Sequence, residues 1–337
     1  MNRWLLGAVW LISLFLAGFS GWWLSRNSVD VALKVPTVAE KIRKYDKYSY
    51  DSLSTRQFLP GAITIEDIIL DNPEYTANLF SFYSEGKKVT GQINIPKAGA
   101  TGSEPVNGYP TVLMIRGYAN QETYKTGSGT RNAASYFAKQ GFLTVAPDFL
   151  GYGGSDPRSE DALEGRFESY LILLNLLASL QNIEKADTSK LSIWAHSNGG
   201  HLTLALLEIT KRNIPATLWA PVTKPFPYSI LVYTDQDDDL GKGTRKMLAN
   251  FELDYDVNLY SVHNYLDRIE APIQLQQGTA DLEVRRDWSD QIVKQLKEKE
   301  KDVTYWVYPG ADHNMVPAWE TAVARDVAFF RKNFNKE

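Results

Sequence analysis

Leu191-Ser192-Ile193-Trp194-Ala195-His196-Ser197-Asn198-Gly199-Gly200-His201 decides how this chain is read. Its first residues form a short apolar run, the pattern of a buried strand. From His201 to Leu207 the pattern turns helical. The chain must therefore bend sharply near Ser197. A serine between strand and helix, with a small residue two places before it and a glycine two places after, fits a nucleophile elbow. Ala195 stands where the first glycine is usual. The spacing has a steric origin. Such a serine sits at a backbone angle costing about 1–3 kcal/mol, which projects its hydroxyl out of the sheet. Bulky side chains two places away would collide with neighbouring backbone, hence Ala195 and Gly199. The Asn198 N–H then faces the space where negative charge gathers on an attacked carbonyl, and the helix N-terminus adds partial positive charge there.

Composition narrows the remaining chemistry. The chain has 337 residues, 44% hydrophobic, enough for a sizeable core. A net charge of −4 gives no electrostatic footprint for nucleic acid. There are no cysteines, which excludes disulfides, thiolate nucleophiles and cysteine-ligated metals. Only four histidines, at 196, 201, 263 and 313, could serve as a general base.

Toward the N-terminus, Trp4 to Leu24 is an uncharged run of 21 residues. A membrane-spanning helix needs about 20. Trp4 and Trp22-Trp23 suit interfacial anchors. Residues 1–26 read as an uncleaved anchor in preference to a signal sequence cut near Gly18-Phe19-Ser20, because the run exceeds a usual signal core of about 7–15 residues. The catalytic part is expected outside the cytoplasmic membrane. Residues 27–58 read as a spacer with a lead-in helix near Val38 to Tyr45, and 59–337 as the catalytic domain. Strands are expected over Ala62 to Leu70, Thr76 to Tyr83 and Lys88 to Ile95, the last two joined at Ser84-Glu85-Gly86, a hairpin signal.

From Pro110 onward, short apolar runs alternate with helical patterns. Strands are expected at Thr111–Ile115, Phe142–Ala146, Leu191–Trp194, Ala216–Trp219, Ile273–Gln276 and Val303–Val307. Helices are expected near Asn132–Gln140, Gly165–Leu180, Arg286–Leu296 and Ala318–Phe334. The alternation implies an α/β fold, a mostly parallel central sheet covered by helices on both faces. Its reactive edge lies beyond the C-terminal ends of the strands, where Ser197 sits. Between about 222 and 270 the pattern lapses, and this stretch reads as a small cap that shapes substrate choice. The acidic run Asp235-Gln236-Asp237-Asp238-Asp239 within it does not fit a calcium loop, because the glycine comes one place late and Lys246 stands where a bidentate Glu is needed.

Two further residues follow Ser197 at strand ends, in the order acid then histidine. Asp281 follows the strand Ile273–Gln276, and His313 follows Val303–Val307. That is the chain order of an α/β-hydrolase triad. His313 would take the serine proton and deliver it to the leaving group, and Asp281 would fix the imidazole tautomer. Asp312 adjoins His313 and reads as a supporting residue at best. His196 reads as a variable elbow position, His201 as a packing or capping residue of the helix, and His263 as structural. A second donor for the oxyanion is expected from the loop after Thr111–Ile115, where Tyr118 N–H is the candidate and Gly117 lets the backbone approach. Asp148–Ser155 reads as a shaped turn near the site, without the spacing or lysine of a phosphate loop.

These blocks resemble the catalytic domain of the prolyl oligopeptidase family of serine peptidases. The resemblance runs from about Ala77 to Asn333, through Gly91–Pro96, Gly141–Asp156, the elbow, Gly278–Val284 and Tyr308–His313. It implies Ser197 as nucleophile, Asp281 as acid and His313 as base. Two blocks depart from the family pattern. Arg116-Gly117-Tyr118 replaces a His-Gly-Gly-Pro-like oxyanion loop, and Leu150 stands where an Arg often precedes the glycine. No β-propeller is expected ahead of the domain. The expectation is a membrane-anchored serine hydrolase forming an acyl-enzyme on peptides, with neither metal nor organic cofactor. A carboxylesterase or deacylase on small acyl esters is the first alternative, and a non-catalytic binding protein on the same scaffold the second.

Overall fold

The computed structural model describes residues 43–98, 102–234 and 237–334. Tyr45–Glu337 is one compact unit, and Met1–Lys44 is a separate one. The apolar run Trp4–Leu24, and most of the expected helix at Val38–Tyr45, lie outside the described residues. Among the described residues, no helix is long and apolar enough to cross a membrane.

The strands are β1 (Ile63–Asp71), β2 (Tyr75–Ser84), β3 (Lys87–Pro96), β4 (Tyr109–Ile115), β5 (Leu143–Pro147), β6 (Ala186–His196), β7 (Ala216–Trp219), β8 (Ile273–Gly278) and β9 (Val303–Tyr308). The helices are α1 (Tyr50–Thr55), α2 (Arg131–Lys139), α3 (Ala162–Ser179), α4 (Asn198–Thr210), α5 (Tyr228–Leu231), α6 (Lys242–Asp254), α7 (Arg286–Glu298) and α8 (Trp319–Phe334). The strands form one sheet in the order β1-β2-β3-β5-β4-β6-β7-β8-β9. From β5 to β9 every pairing is parallel, and β1, β2 and β3 extend the sheet antiparallel. This is the α/β-hydrolase arrangement. The β2–β3 turn is the expected hairpin. Ser84 pairs with Lys87, and Glu85 and Gly86 both take positive φ, 52° and 79°. That geometry matches the right-handed twist of the strands it joins.

Strands β4, β5, β7 and β8 are buried along nearly their whole length, as a sheet covered on both faces requires. One face carries α3, α4 and α7, and the other carries α2 and α8. Helix α4 is buried on every side from Gly199 to Ile209, which accounts for its mostly apolar composition, with His201, Thr203 and Glu208 as its buried polar residues. The expected strands and helices of the parallel half are all present, with ends that fall within three residues of those expected except at β6, which begins five residues earlier, at Ala186.

The stretch ahead of the sheet differs from its sequence pattern. Tyr48, Tyr50 and Leu53, read as spacer, are buried in the main core. Tyr45 packs its ring against Phe167 of α3 and against Phe251 and Tyr255 of the insert between β7 and β8. Aromatic anchors without periodicity carry no signal of burial, so the sequence pattern missed them. In the same insert, Asp239 accepts from the Gly241 and Gly243 N–H groups at 2.8 and 2.7 Å, shaping the start of α6.

Candidate active site

Ser197 stands between β6 and α4 with φ 56° and ψ −121°, a strained conformation for a residue with a Cβ. Neighbouring backbone holds it there. Its N–H donates to Trp219 O at 2.9 Å, and its carbonyl accepts from Gly200 N at 2.9 Å and Val222 N at 3.0 Å. The glycines expected around it answer to close backbone approaches. A Cβ on Gly199 would lie 2.1 Å from Ile115 O, and one on Gly117 would lie 2.7 Å from Ser197 Cβ. The end of β4 and the elbow therefore touch backbone to backbone. Position 195 tolerates a methyl group because it faces the core, where Ala195 is fully buried. The Asn198 and Tyr118 N–H groups donate to no backbone acceptor in the loops and turns among the described residues.

Asp281 and His313 meet at the ends of β8 and β9. His313 Nδ1 lies 2.9 Å from Asp281 Oδ2. Close backbone contact between the two loops makes this possible, since a Cβ on Gly278 would lie 2.2 Å from Ala311 O. Ala280 N donates to Ala311 O at 2.9 Å and Gly310 N to Thr279 Oγ1 at 2.8 Å, tying the loops further.

The Asp281 carboxylate is saturated with donors. Oδ2 accepts from His313 Nδ1 and Gln277 Nε2, and Oδ1 accepts from the Glu283 and Val284 N–H groups, each at 2.9 Å. Burial alone would raise this carboxyl's pKa. The hydrogen bonds from His313 and the Val284 N–H outweigh it and hold the carboxyl below its usual range. Asp281 is thus a fixed, ionised acceptor that orients the His313 ring with a proton on Nδ1. Asp312 points elsewhere. Its Oδ1 accepts from the Asn314 and Val316 N–H groups at 2.9 Å and shapes the loop that carries His313.

His196 has a role that its position next to Ser197 did not suggest. Its Nε2 lies 2.9 Å from the His313 carbonyl oxygen, and the two rings sit 4.5 Å apart, centroid to centroid. A carbonyl only accepts, so Nε2 carries the proton and donates. The residue beside the elbow serine thereby holds the backbone of the histidine loop. Burial, then the neighbouring His313, pushes the His196 pKa down to about 4, which keeps it neutral. Burial likewise lowers His201 to about 3 and His263 to about 4. His201 lies inside α4 with Nε2 3.4 Å from Tyr170 Oη. Among the described residues no hydrogen bond joins Ser197 Oγ to His313. Instead His196, its chain neighbour, brings the two loops together.

Gln277 is the other residue that the sequence did not single out. It looks like an ordinary strand residue, yet its side chain is buried beneath the acid. Its Oε1 accepts from Ser289 Oγ at 2.7 Å, so the amide is oriented and Nε2 must face Asp281.

The chain matches the prolyl oligopeptidase family over residues 128–337. It is 24% identical over 200 residues to the uncharacterized peptidase YtmA of Bacillus subtilis (strain 168), covering 58% of this chain and 74% of that protein. It is 25% identical over 191 residues to dipeptidyl peptidase family member 6 of Caenorhabditis elegans. That match covers 54% of this chain and only 25% of the worm protein's length. Among solved structures, acetyl xylan esterase 1 from Thermoanaerobacterium sp. JW/SL YS485 superposes with a TM-score of 0.60 at 16% identity, covering 87% of this chain and 94% of that one. A puromycin-hydrolyzing peptidase of Mycobacterium tuberculosis gives 0.59 at 18% identity, covering 80% of this chain and 41% of that one. At these identities the structures speak for the fold alone. The family match spans the elbow, the acid loop and the histidine loop, and on it this chain is a serine hydrolase belonging to the prolyl oligopeptidase family.

Proposed function

We propose that this serine hydrolase is a peptidase of the prolyl oligopeptidase type working through Ser197, His313 and Asp281. His313 Nε2 takes the proton of Ser197 Oγ as that oxygen attacks the substrate carbonyl. The carbonyl oxygen, now negative, is received by the N–H groups of Asn198 and Tyr118. His313 passes the proton to the leaving amine, the C–N bond breaks, and an acyl-Ser197 remains. Water then attacks the acyl group with His313 again as base, and the acid leaves. Asp281 stabilises the imidazolium in both halves. The observation that carries this reading is the Asp281–His313 pair, oriented by three further donors on the carboxylate and joined to the elbow by His196.

The insert between β7 and β8 is assigned the shaping of substrate choice, because Tyr233 within it reaches the carbonyl of Glu283, two residues from Asp281, at 3.4 Å. A carboxylesterase acting on small acyl esters is the second reading. The backbone is shared with nearly the whole length of an acetyl xylan esterase, and the same acyl-serine chemistry cleaves esters. The reading also includes a single membrane anchor at Trp4–Leu24 with the catalytic unit on the extracytoplasmic side. Alkaline carbonate extraction and protease accessibility in intact cells test that part.

The decisive experiment labels parent and Ser197→Ala with a fluorophosphonate probe. Labelling of the parent that disappears in the variant is expected. A folded parent that takes no label overturns the acyl-serine reading. A panel of aminoacyl and peptidyl amides set against simple acyl esters then separates peptidase from esterase.

A further inference from the structure

The oxyanion loop of this chain is held by an arginine that no step of the proposed reaction uses. Arg116 follows the last residue of β4, and its side chain is buried. Its Nη1 donates to the carbonyl of Gly117 at 2.8 Å. Its Nη2 donates to the carbonyl of Asp148, just past β5, at 2.7 Å. Three rings surround the guanidinium, those of Tyr152, Tyr124 and Phe149, with centroids 4.2, 4.7 and 5.3 Å from its central carbon. The box is itself anchored. Tyr124 Oη donates to Asp148 Oδ1 at 2.7 Å, Thr90 and Thr126 hydroxyls donate to Asp148 Oδ2 at 2.6 and 2.8 Å, and Tyr152 Oη donates to Ala119 O at 3.1 Å.

The consequence follows from peptide geometry. The Gly117 carbonyl and the Tyr118 N–H belong to one planar peptide unit, and the only cis bonds among the described residues precede Pro227 and Pro317. In a trans unit the C=O and N–H point in opposite directions. Fixing the oxygen of Gly117 therefore fixes the direction of the Tyr118 N–H. Something must fix it, because residue 117 has to be glycine to clear Ser197, and glycine leaves its peptide free to rotate. A charged donor on the carbonyl also polarises the unit, which makes the opposite N–H a stronger donor. Stability alone does not account for the arrangement, since Arg116 Nε is buried without a hydrogen-bond partner among the described residues.

We propose that Arg116 is the positioning residue of the oxyanion hole, locking the Gly117–Tyr118 peptide so that the Tyr118 N–H stays aimed at the developing oxyanion beside Ser197. The inference rests on the acyl-serine reading above.

The test compares parent, Ser197→Ala, Arg116→Lys and Arg116→Ala, with active sites titrated by the fluorophosphonate in the three forms that keep Ser197 and Ser197→Ala compared per folded molecule. Lysine keeps the charge but loses the planar two-armed donor. Arg116→Lys is expected to lower kcat ten- to hundredfold with KM within threefold. Its affinity for a trifluoromethyl ketone, which forms a tetrahedral adduct on the serine, should fall by the same factor as kcat/KM. In Arg116→Ala, millimolar methylguanidinium should restore part of the lost rate and methylammonium should not. An unchanged kcat per titrated site in Arg116→Lys overturns the proposal, as does a loss confined to KM or to thermal stability. Should Arg116→Ala fail to fold, Arg116→Lys decides alone. If Ser197→Ala keeps the parent's activity, the acyl-serine reading fails and this proposal falls with it. If Ser197→Ala is inactive while Arg116→Lys matches the parent, only this proposal fails.

Discussion

Replacing Asp281 by asparagine changes one oxygen to an NH2 group in a place with room for acceptors only. All four hydrogen bonds at this side chain are accepted ones, two on each oxygen. In either orientation the new NH2 faces two donors. The Glu283 and Val284 N–H groups are backbone and cannot turn away, so the amide oxygen keeps the Oδ1 position. The NH2 then faces His313 Nδ1 and Gln277 Nε2. Gln277 cannot flip without losing its bond from Ser289. His313 must present Nδ1 as an acceptor, which places its proton on Nε2. An Nε2 that carries a proton cannot take one from Ser197. Wrong-tautomer variants of such triads lose about 10⁴ in kcat. At about 1.4 kcal/mol per decade this is roughly 5 kcal/mol of transition-state stabilisation. The opposed donors add a stability cost of about 1–3 kcal/mol. The assay is kcat per folded molecule from pH 6 to 10, with circular dichroism and a melting curve on the same sample. A folded Asp281→Asn within tenfold of the parent at neutral pH would show that Asp281 does not set the His313 tautomer.

Other outcomes follow from the same geometry. Ser197→Gly should abolish activity yet raise the free energy of unfolding by about 1 kcal/mol, read as a higher denaturant midpoint, because it releases the strain at φ 56°. An unchanged or lower midpoint would remove the strain argument. Gly199→Ala should cost roughly 1–3 kcal/mol or more and most of the activity, since its Cβ would meet two backbone oxygens, of Ile115 and Arg116, at 2.1 and 2.8 Å. A variant with parent-like melting and turnover refutes that packing. The fold holds His196, His201 and His263 neutral through burial, with pKa values lowered to about 4, 3 and 4. The unfolded chain takes protons at all three below about pH 6.5. Their contribution is therefore complete above about pH 6.5 and declines as the pH falls toward 4, at up to about 4 kcal/mol per pH unit if all three titrate together. Urea unfolding at pH 7.5 and 5.5 measures the slope, and equal stability at the two values contradicts it.

Much of this protein was readable along the chain because its signals are local. A buried parallel strand shows itself as an unbroken apolar run, and a hairpin as Glu85-Gly86, two residues that both take positive φ. The elbow shows itself because a strained serine forces small neighbours, and Gly117 and Gly199 are the record of that crowding. Strand-end positions and chain order were enough to nominate Asp281 and His313, and the fold brings that pair together.

What stayed hidden depends on contacts across long chain separations. His196 read as a variable position because nothing in its surroundings announces the His313 carbonyl, 117 residues away. Gln277 read as a strand residue, and its work beneath Asp281 depends on a partner from α7 that fixes its amide. Arg116 read only as a departure from a familiar motif, whereas its two carbonyls and three rings come together from β4, β5 and the loops beyond them. Tyr48 and Tyr50 read as spacer, and Tyr45 only as the end of a lead-in helix, because single aromatic anchors leave no period, and their packing depends on the face that α3 and the β7–β8 insert present to them. Periodicity and steric exclusion are written into neighbouring residues. Hydrogen-bond direction, tautomer and the lock on a peptide plane arise only when distant segments meet in three dimensions.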